Sequence, residues 1–225
     1  NLMVKFSVED EVRNFELRLR RFDGEIMWGL ASMSEIPVEE ESLLLFAFVD
    51  ITRLKNAEAA IQHLADHDQL TGLPARRVLQ GRLGKAIVRA DQTETQVGVF
   101  FIDLDGFKDV NDTFGHNIGD LVLKEIADRL TNSVQENDMV ARLGGDEFLV
   151  IAEEQGKQSA KSIGNLVLEN VSRAIETAEG EVNISASVGI ALYPDSGLTA
   201  EELVKAADKA MYGVKKTGKG AIAFA

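Results

Sequence analysis

The chain has 225 residues and a formal net charge of −13, from 37 acidic against 24 Lys and Arg side chains, a balance that opposes non-specific binding to nucleic acid or to anionic membranes. Its composition, 45% hydrophobic and 27% charged, is globular, and the absence of cysteine excludes disulfides and thiolate metal sites. The longest apolar run, Leu43 to Val49, is too short to span a bilayer and the acidic N-terminus does not read as a signal peptide, so a cytoplasmic chain without direct membrane insertion is expected, a membrane anchor upstream in a longer parent being left open.

In chain order, NFELRLR (Asn14 to Arg20) alternates apolar Phe15, Leu17 and Leu19 with polar neighbours and predicts a strand. Asp23-Gly24 then signals a hairpin turn into a second strand, Glu25 to Met33. An acidic stretch, Ser34 to Glu41, leads to a third strand, Ser42 to Asp50. From Ile51 to His67 the period changes. Leu54, Ala57, Ile61 and Leu64 stand at the spacings of a heptad seam, which predicts either a dimeric coiled coil or an amphipathic helix packed on its own domain. Gly72 and Pro74 in DQLTGLP break that helix.

A larger α/β unit follows. A helix is expected near Arg76 to Ala90, a buried strand over Val97 to Ile102, and a helix from about Asp120 to Ser133. Next come the hairpin pair VARLGGDEFLVIAEE, a helix around Ser159 to Glu176, the strand NISASVGIALYP and a final helix from Ala200 to Lys216. Helices alternating with strands that include an antiparallel hairpin predict a mixed sheet with helices packed on it, an α/β (α+β) architecture.

The chemistry concentrates where apolar strands end in acids. In FFIDLDGFKDVND, Asp103 and Asp105 share one side of the pleat, either to cap a turn or to face a cation. In ARLGGDEF, Gly144 and Gly145 make a tight turn that projects Asp146 and Glu147, either as solvated decoration or with room for a charged ligand against the backbone. Two acid clusters on neighbouring strands suit Mg²⁺, which takes oxygen ligands and shares them with phosphates.

Between the clusters, Asn111 and Asp120 have the donor and acceptor groups for guanine, with an N-cap as the plain alternative for Asp120. His116 beside Gly115 is either a loop histidine or a ligand contact. Lys215, Lys216 and Lys219 at the last helix end either complement its dipole or meet phosphates, as Lys108 does after the first acidic pair.

DQLTGLP, FFIDLDGFKDVNDTFGHNIGD, ARLGGDEF, SVGIALYP and ADKAMYGVKKTGKG, in this order and spacing, resemble the GGDEF family of diguanylate cyclases over Asp66 to Ala225. The resemblance implies a palm-like mixed sheet flanked by helices and a reaction that condenses two GTP into cyclic di-GMP and two pyrophosphates. It implies that Asp103, Asp146 and the Leu104 carbonyl hold Mg²⁺ or Mn²⁺, with Asp146 and Glu147 at the chemistry. Asn111, His116 and Asp120 would lie at the base, Gly144 and Gly145 by the nucleotide, and Lys108, Lys215 and Lys219 at phosphates. A homodimer through the linker helix, with two facing domains each holding one GTP, is implied as well. The other reading is a catalytically silent GTP-binding regulatory module in a longer signalling protein.

Three positions depart from the family pattern. Gln135 stands where an inhibitory Arg-x-x-Asp product site has its arginine, leaving Asp138 alone, so feedback there is expected to be weak or absent. Lys219 replaces an arginine, and Ala75 an asparagine. NFELRLRRFDGEIMW and LLLFAFVDIT resemble the C-terminal half of a PAS domain with its PAC motif, without the half that encloses a ligand. The expected division is a partial PAS sensor over 1–50, a signalling helix over 51–66 and a cyclase domain over 67–225.

Overall fold

The computed structural model describes residues 11–38, 41–153 and 156–225. The chain divides into two compact units between His63 and Leu64.

The first unit is an antiparallel sheet of β1 (Glu11–Arg20), β2 (Ile26–Val38) and β3 (Glu41–Asp50), in that order. Gly24, at φ +90°, turns β1 into β2 as the Asp-Gly pair predicts. From Ser34 to Val38 the acidic stretch is strand and not connector, while its residues 39 and 40 lie outside the described residues. β2 continues to Val38 because each residue from Ser34 to Val38 has a partner on β3, and ladder bonds outweigh the poor strand propensity of Glu35 and Pro37. Asp50 accepts the Thr52 N–H at 2.9 Å, and these bonds from Thr52 hold its carboxyl below the ordinary range. Helix α1 (Thr52–Asp66) starts there. The seam residues Leu54, Ile61 and Leu64 are exposed.

The second unit contains α2 (Arg76–Thr93), β4 (Val97–Asp105), α3 (Phe107–Phe114), α4 (His116–Thr131), β5 (Met139–Gly144), β6 (Glu147–Glu153) and α5 (Lys157–Val171). A small hairpin, β7 (Ile175–Thr177) and β8 (Gly180–Val182), is followed by β9 (Ser185–Tyr193), α6 (Ala200–Thr217) and β10 (Ile222–Phe224). The main sheet runs β10-β9-β4-β6-β5, with β10 parallel to β9 and the other pairs antiparallel. A mixed sheet with helices on both faces is what the pattern predicts, and its arrangement is the palm-like one that the resemblance implies.

Every residue of β4 is buried, and alternate side chains serve two cores. Phe100, Ile102 and Leu104 pack with α3, α4 and α5; Val97, Val99 and Phe101 pack with α2 and α6. By the same parity Asp103 and Asp105 fall on the α2 and α6 side. Helix α6 begins in a capping box, with the Glu202 N–H on Thr199 Oγ1 at 3.2 Å and the Thr199 N–H on Glu202 Oε2 at 3.2 Å.

The helix expected from Asp120 starts earlier, at His116, directly after Gly115 (φ +81°). A short α3 precedes it, burying Phe107 and Val110 and too brief for the sequence reading to separate from the loop after β4. Asp120 is therefore one turn inside α4, and the N-cap reading is overturned.

Helix α6 lies directly on β9. A Cβ at Gly189 would stand 1.9 Å from the Ala207 carbonyl oxygen and 2.3 Å from the Met211 nitrogen, both main-chain atoms that cannot rotate aside. Gly189→Ala is expected to cost about 3 kcal/mol, the upper part of the range for overpacking. Denaturant unfolding measures it, and an unchanged midpoint would show that the helix shifts freely.

Candidate functional site

Strand register brings the acids together. Asp103 is opposite Glu147 on β6 and Ser187 on β9, and the Leu104 N–H donates to the Asp146 carbonyl at 3.2 Å. The β5–β6 turn therefore returns its acids to the C-terminal end of β4. Gly144 (φ +138°) and Gly145 (φ +55°) take the conformations that close it.

Asp103 is only 6% exposed. Lys215 Nζ, from α6, lies 2.5 Å from its Oδ1, close enough to pair in charge. No second donor reaches that buried oxygen. Burial raises the Asp103 carboxyl above its ordinary range, Lys215 opposes the shift, and Asp146 and Asp105 add to it. Burial raises Glu147 too, reinforced by Asp103, Asp146 and Asp208 and opposed by Arg76. Negative charge from Asp103, Asp146, Glu147 and Asp208 thus gathers at one sheet end, with Lys215 and Arg76 opposing it, and such a cluster suits a further cation.

Asp105 has a different fate. Its carboxylate accepts from Ser187 Oγ at 2.9 Å, Ser185 Oγ at 3.1 Å and the Gly220 N–H at 3.1 Å. It ties β4 to β9 and to the turn after α6. That turn carries Lys219, at φ +64° between Gly218 and Gly220, both also at positive φ. Lys219 is thus anchored by its neighbour near the sheet end that holds Asp103. Lys108 is exposed in the first turn of α3, Asn111 is half-buried in its last, and His116 and Asp120 are exposed on α4.

Arg142, given no role on sequence grounds, organises the turn. Its Nη2 and Nε donate to the Gly145 carbonyl at 2.7 and 3.1 Å, and Nη1 meets Asp68 Oδ1 at 2.8 Å. Asp68 also accepts from the Thr71 N–H and hydroxyl at 2.9 and 2.8 Å. Partial burial pushes the Asp68 carboxyl up, but Arg142 and Thr71 outweigh it and hold the group below its ordinary range. DQLTGLP is thereby clamped to the glycine turn. No local signal joins residues 74 positions apart.

The Gln135 and Asp138 region is a separate cavity of about 560 Å³ at the Glu153 end of β6, the end away from Glu147. Asp138 accepts the Gln135 N–H at 3.0 Å and the Glu153 N–H at 3.1 Å, a turn-forming role. Arg82 and Arg89, missed in the sequence, also line this cavity. Glu153 holds both, Arg82 at 2.9 Å and Arg89 through two bonds of 2.9 and 2.6 Å.

Among the described residues no group of three or more His, Asp or Glu side chains is arranged around a metal position. Asp103, Asp146 and the Leu104 carbonyl form a partial set of hard oxygens, and the Asp103 oxygen already faces a cation, the Lys215 ammonium. Such a set suits Mg²⁺ or Mn²⁺, which complete their shell with phosphate and water.

The family model "Diguanylate cyclase, GGDEF domain" matches residues 65–221. The chain belongs to the GGDEF family. It is 43% identical over 173 residues to the bifunctional diguanylate cyclase/cyclic di-GMP phosphodiesterase MucR of Pseudomonas aeruginosa, covering 77% of this chain and 25% of that protein. It is 39% identical over 194 residues to the diguanylate cyclase TpbB of the same species, covering 85% and 45%. The solved TpbB GGDEF domain superposes with a TM-score of 0.69 at 40% identity, over 71% of this chain and 94% of that one. The coiled coil and GGDEF domain of DgcB from Caulobacter crescentus, solved with c-di-GMP, gives a TM-score of 0.70 at 26% identity, over 78% and 93%. The chain spans a quarter to under half of the length of these curated relatives. The family-model match lies on the second unit, and among the described residues no helix is long and apolar enough to cross a membrane.

Proposed function

We propose that this GGDEF domain is an active diguanylate cyclase, joining two GTP into cyclic di-GMP with release of two pyrophosphates. The observation that carries the reading is the buried Asp103 carboxylate, already paired with the Lys215 ammonium, beside Asp146 and Glu147 at the mouth of the glycine turn.

A magnesium or manganese ion held by Asp103, Asp146 and the Leu104 carbonyl would neutralise phosphoryl charge and favour ionisation of the attacking hydroxyl. The chain's own residues do the rest. Lys108, Lys215 and Lys219 bind phosphate oxygens, and Lys215 turns from Asp103 to the nucleotide when the acid finds another cation. Glu147, opposite Asp103 in the strand register, receives the proton of the 3′-hydroxyl. Asn111 donates to the carbonyl edge of guanine, Asp120 accepts from its ring N–H and amine, and His116 flanks them at the start of α4. Gly144 and Gly145 leave the triphosphate access to the backbone.

One domain holds one GTP, so turnover requires two domains face to face; the exposed seam of α1 pairs the subunits and sets their approach. The first unit is a PAS-derived sensor element, a reading supported by its sequence resemblance and its three-stranded antiparallel sheet. The GTP supply places the activity in the cytoplasm. Chromatography of the purified protein with GTP and Mg²⁺ tests the reading: a cyclic dinucleotide is expected, whereas tight GTP binding without product would make the domain a silent regulatory module.

Feedback at the Gln135 and Asp138 cavity is expected to be negligible. Gln135 offers no guanidinium fork and Glu153 occupies Arg82 and Arg89, so initial rates should ignore micromolar cyclic di-GMP. Inhibition in that range, relieved by Asp138→Ala, would overturn this.

A further inference from the structure

We propose that Gly119 is a positioning residue for base selection: its missing side chain makes the seat in which the Asn111 amide is held. The inference rests on the proposed reading of Asn111 as a guanine contact. Gly119 is buried in the second turn of α4, and Asn111 is half-buried in the last turn of α3. A Cβ built on Gly119 would lie 2.0 Å from Asn111 Oδ1, 3.0 Å from its Cγ and 3.4 Å from Cζ of Phe107. The space that any other residue would fill is therefore taken by the carboxamide.

Glycine weakens a helix interior relative to alanine, so its presence in mid-helix needs a local reason. Gly81, Gly84 and Gly213 also lie in helices, and a Cβ at each would meet nothing within 4 Å. Gly119 differs because a polar side-chain end from another helix occupies the position. Main-chain bonds set the spacing of the two residues: the Gly115 N–H donates to the Asn111 carbonyl at 3.0 Å and the Gly119 N–H to the Gly115 carbonyl at 3.2 Å. With its carbonyl arm over Gly119, the amide leaves Nδ2 as the arm free to donate to a base. Asp120, the next residue along α4, supplies the acceptor for the same base. Adjacent residues thus set both halves of the recognition, one by its carboxylate and the other by having no side chain.

The clash that alanine would create is with the far end of a rotatable side chain, so the fold tolerates it while the amide swings away. The test compares Gly119→Ala, Asn111→Ala and the double variant by calorimetric titration with non-hydrolysable GTP and ATP analogues, beside denaturant unfolding. Gly119→Ala is expected to weaken the guanine analogue about tenfold, the scale of one lost hydrogen bond, and to leave the adenine analogue unchanged. Its unfolding midpoint should match or exceed wild type, and the double variant should bind no worse than Asn111→Ala. Weak guanine binding by Asn111→Ala but wild-type binding by Gly119→Ala would overturn the positioning role alone. Wild-type binding by Asn111→Ala would instead remove the guanine reading beneath it. A lowered midpoint in Gly119→Ala that the double variant does not restore would make Gly119 a packing residue and overturn the proposal.

Discussion

Asp146→Ala is expected to lower cyclic di-GMP synthesis by about a thousandfold or more, the scale on which electrostatic stabilisation of a transition state is lost. The same variant should unfold no earlier than wild type. Asp146 contributes to the fold through its main-chain carbonyl, which accepts the Leu104 N–H, and alanine keeps that bond. Its carboxylate acts against stability, raising the carboxyls of both Asp103 and Glu147 by repulsion. Removing it relieves a crowded acid cluster and removes a donor from the cation set. Asp146→Asn keeps the shape without the charge and should be nearly as inactive. Chromatographic product assays and unfolding curves on the same preparations separate the two effects. Product at the wild-type rate from Asp146→Ala would take this residue out of the reaction.

The acid site was legible because its parts obey local rules. An apolar run ending in Asp103 reads as a buried strand with a carboxylate at its end, and Gly144-Gly145 between β-rich flanks reads as a turn. Register then has little choice: burying β4 and β6 side by side places Asp103 against Glu147. The two acids of the first pair looked equivalent in the sequence, yet Asp105 is satisfied by Ser185, Ser187 and Gly220. Only tertiary partners from β9 and the chain's last turn distinguish them. Helix α3 and strand β10 were missed because eight and three residues are too short a window to separate an element from a loop. Arg82 and Arg89 looked like ordinary helix-surface charges, and only folding places them over Asp138 and within reach of Glu153.

Arg142→Ala is expected to cost about 3 kcal/mol of stability, in the range for breaking a buried ion pair from one side, and most of the synthetic activity with it. The Arg142 side chain is 9% exposed, and its removal strands the Gly145 carbonyl and the Asp68 carboxylate together. The turn that presents Asp146 then loses the clamp tying it to the segment leaving α1. Arg142→Lys should rescue little, since one ammonium cannot reach both partners in the fork's geometry. The loss depends on pH with a defined sign. Folding holds the Asp68 carboxyl below its ordinary 3.8, so the folded chain binds the proton less readily than the unfolded one. The bridge therefore stabilises fully above that value and fades as the pH falls through the folded value. Unfolding midpoints of wild type and Arg142→Ala should stand well apart at neutral pH and draw closer as the pH falls through the folded value, the two bonds to the Gly145 carbonyl keeping a residual gap. Coincident midpoints at pH 7 would show that the two glycines hold the turn unaided, and a constant gap down to acid would move the stabilising partner of Arg142 from Asp68 to the Gly145 carbonyl.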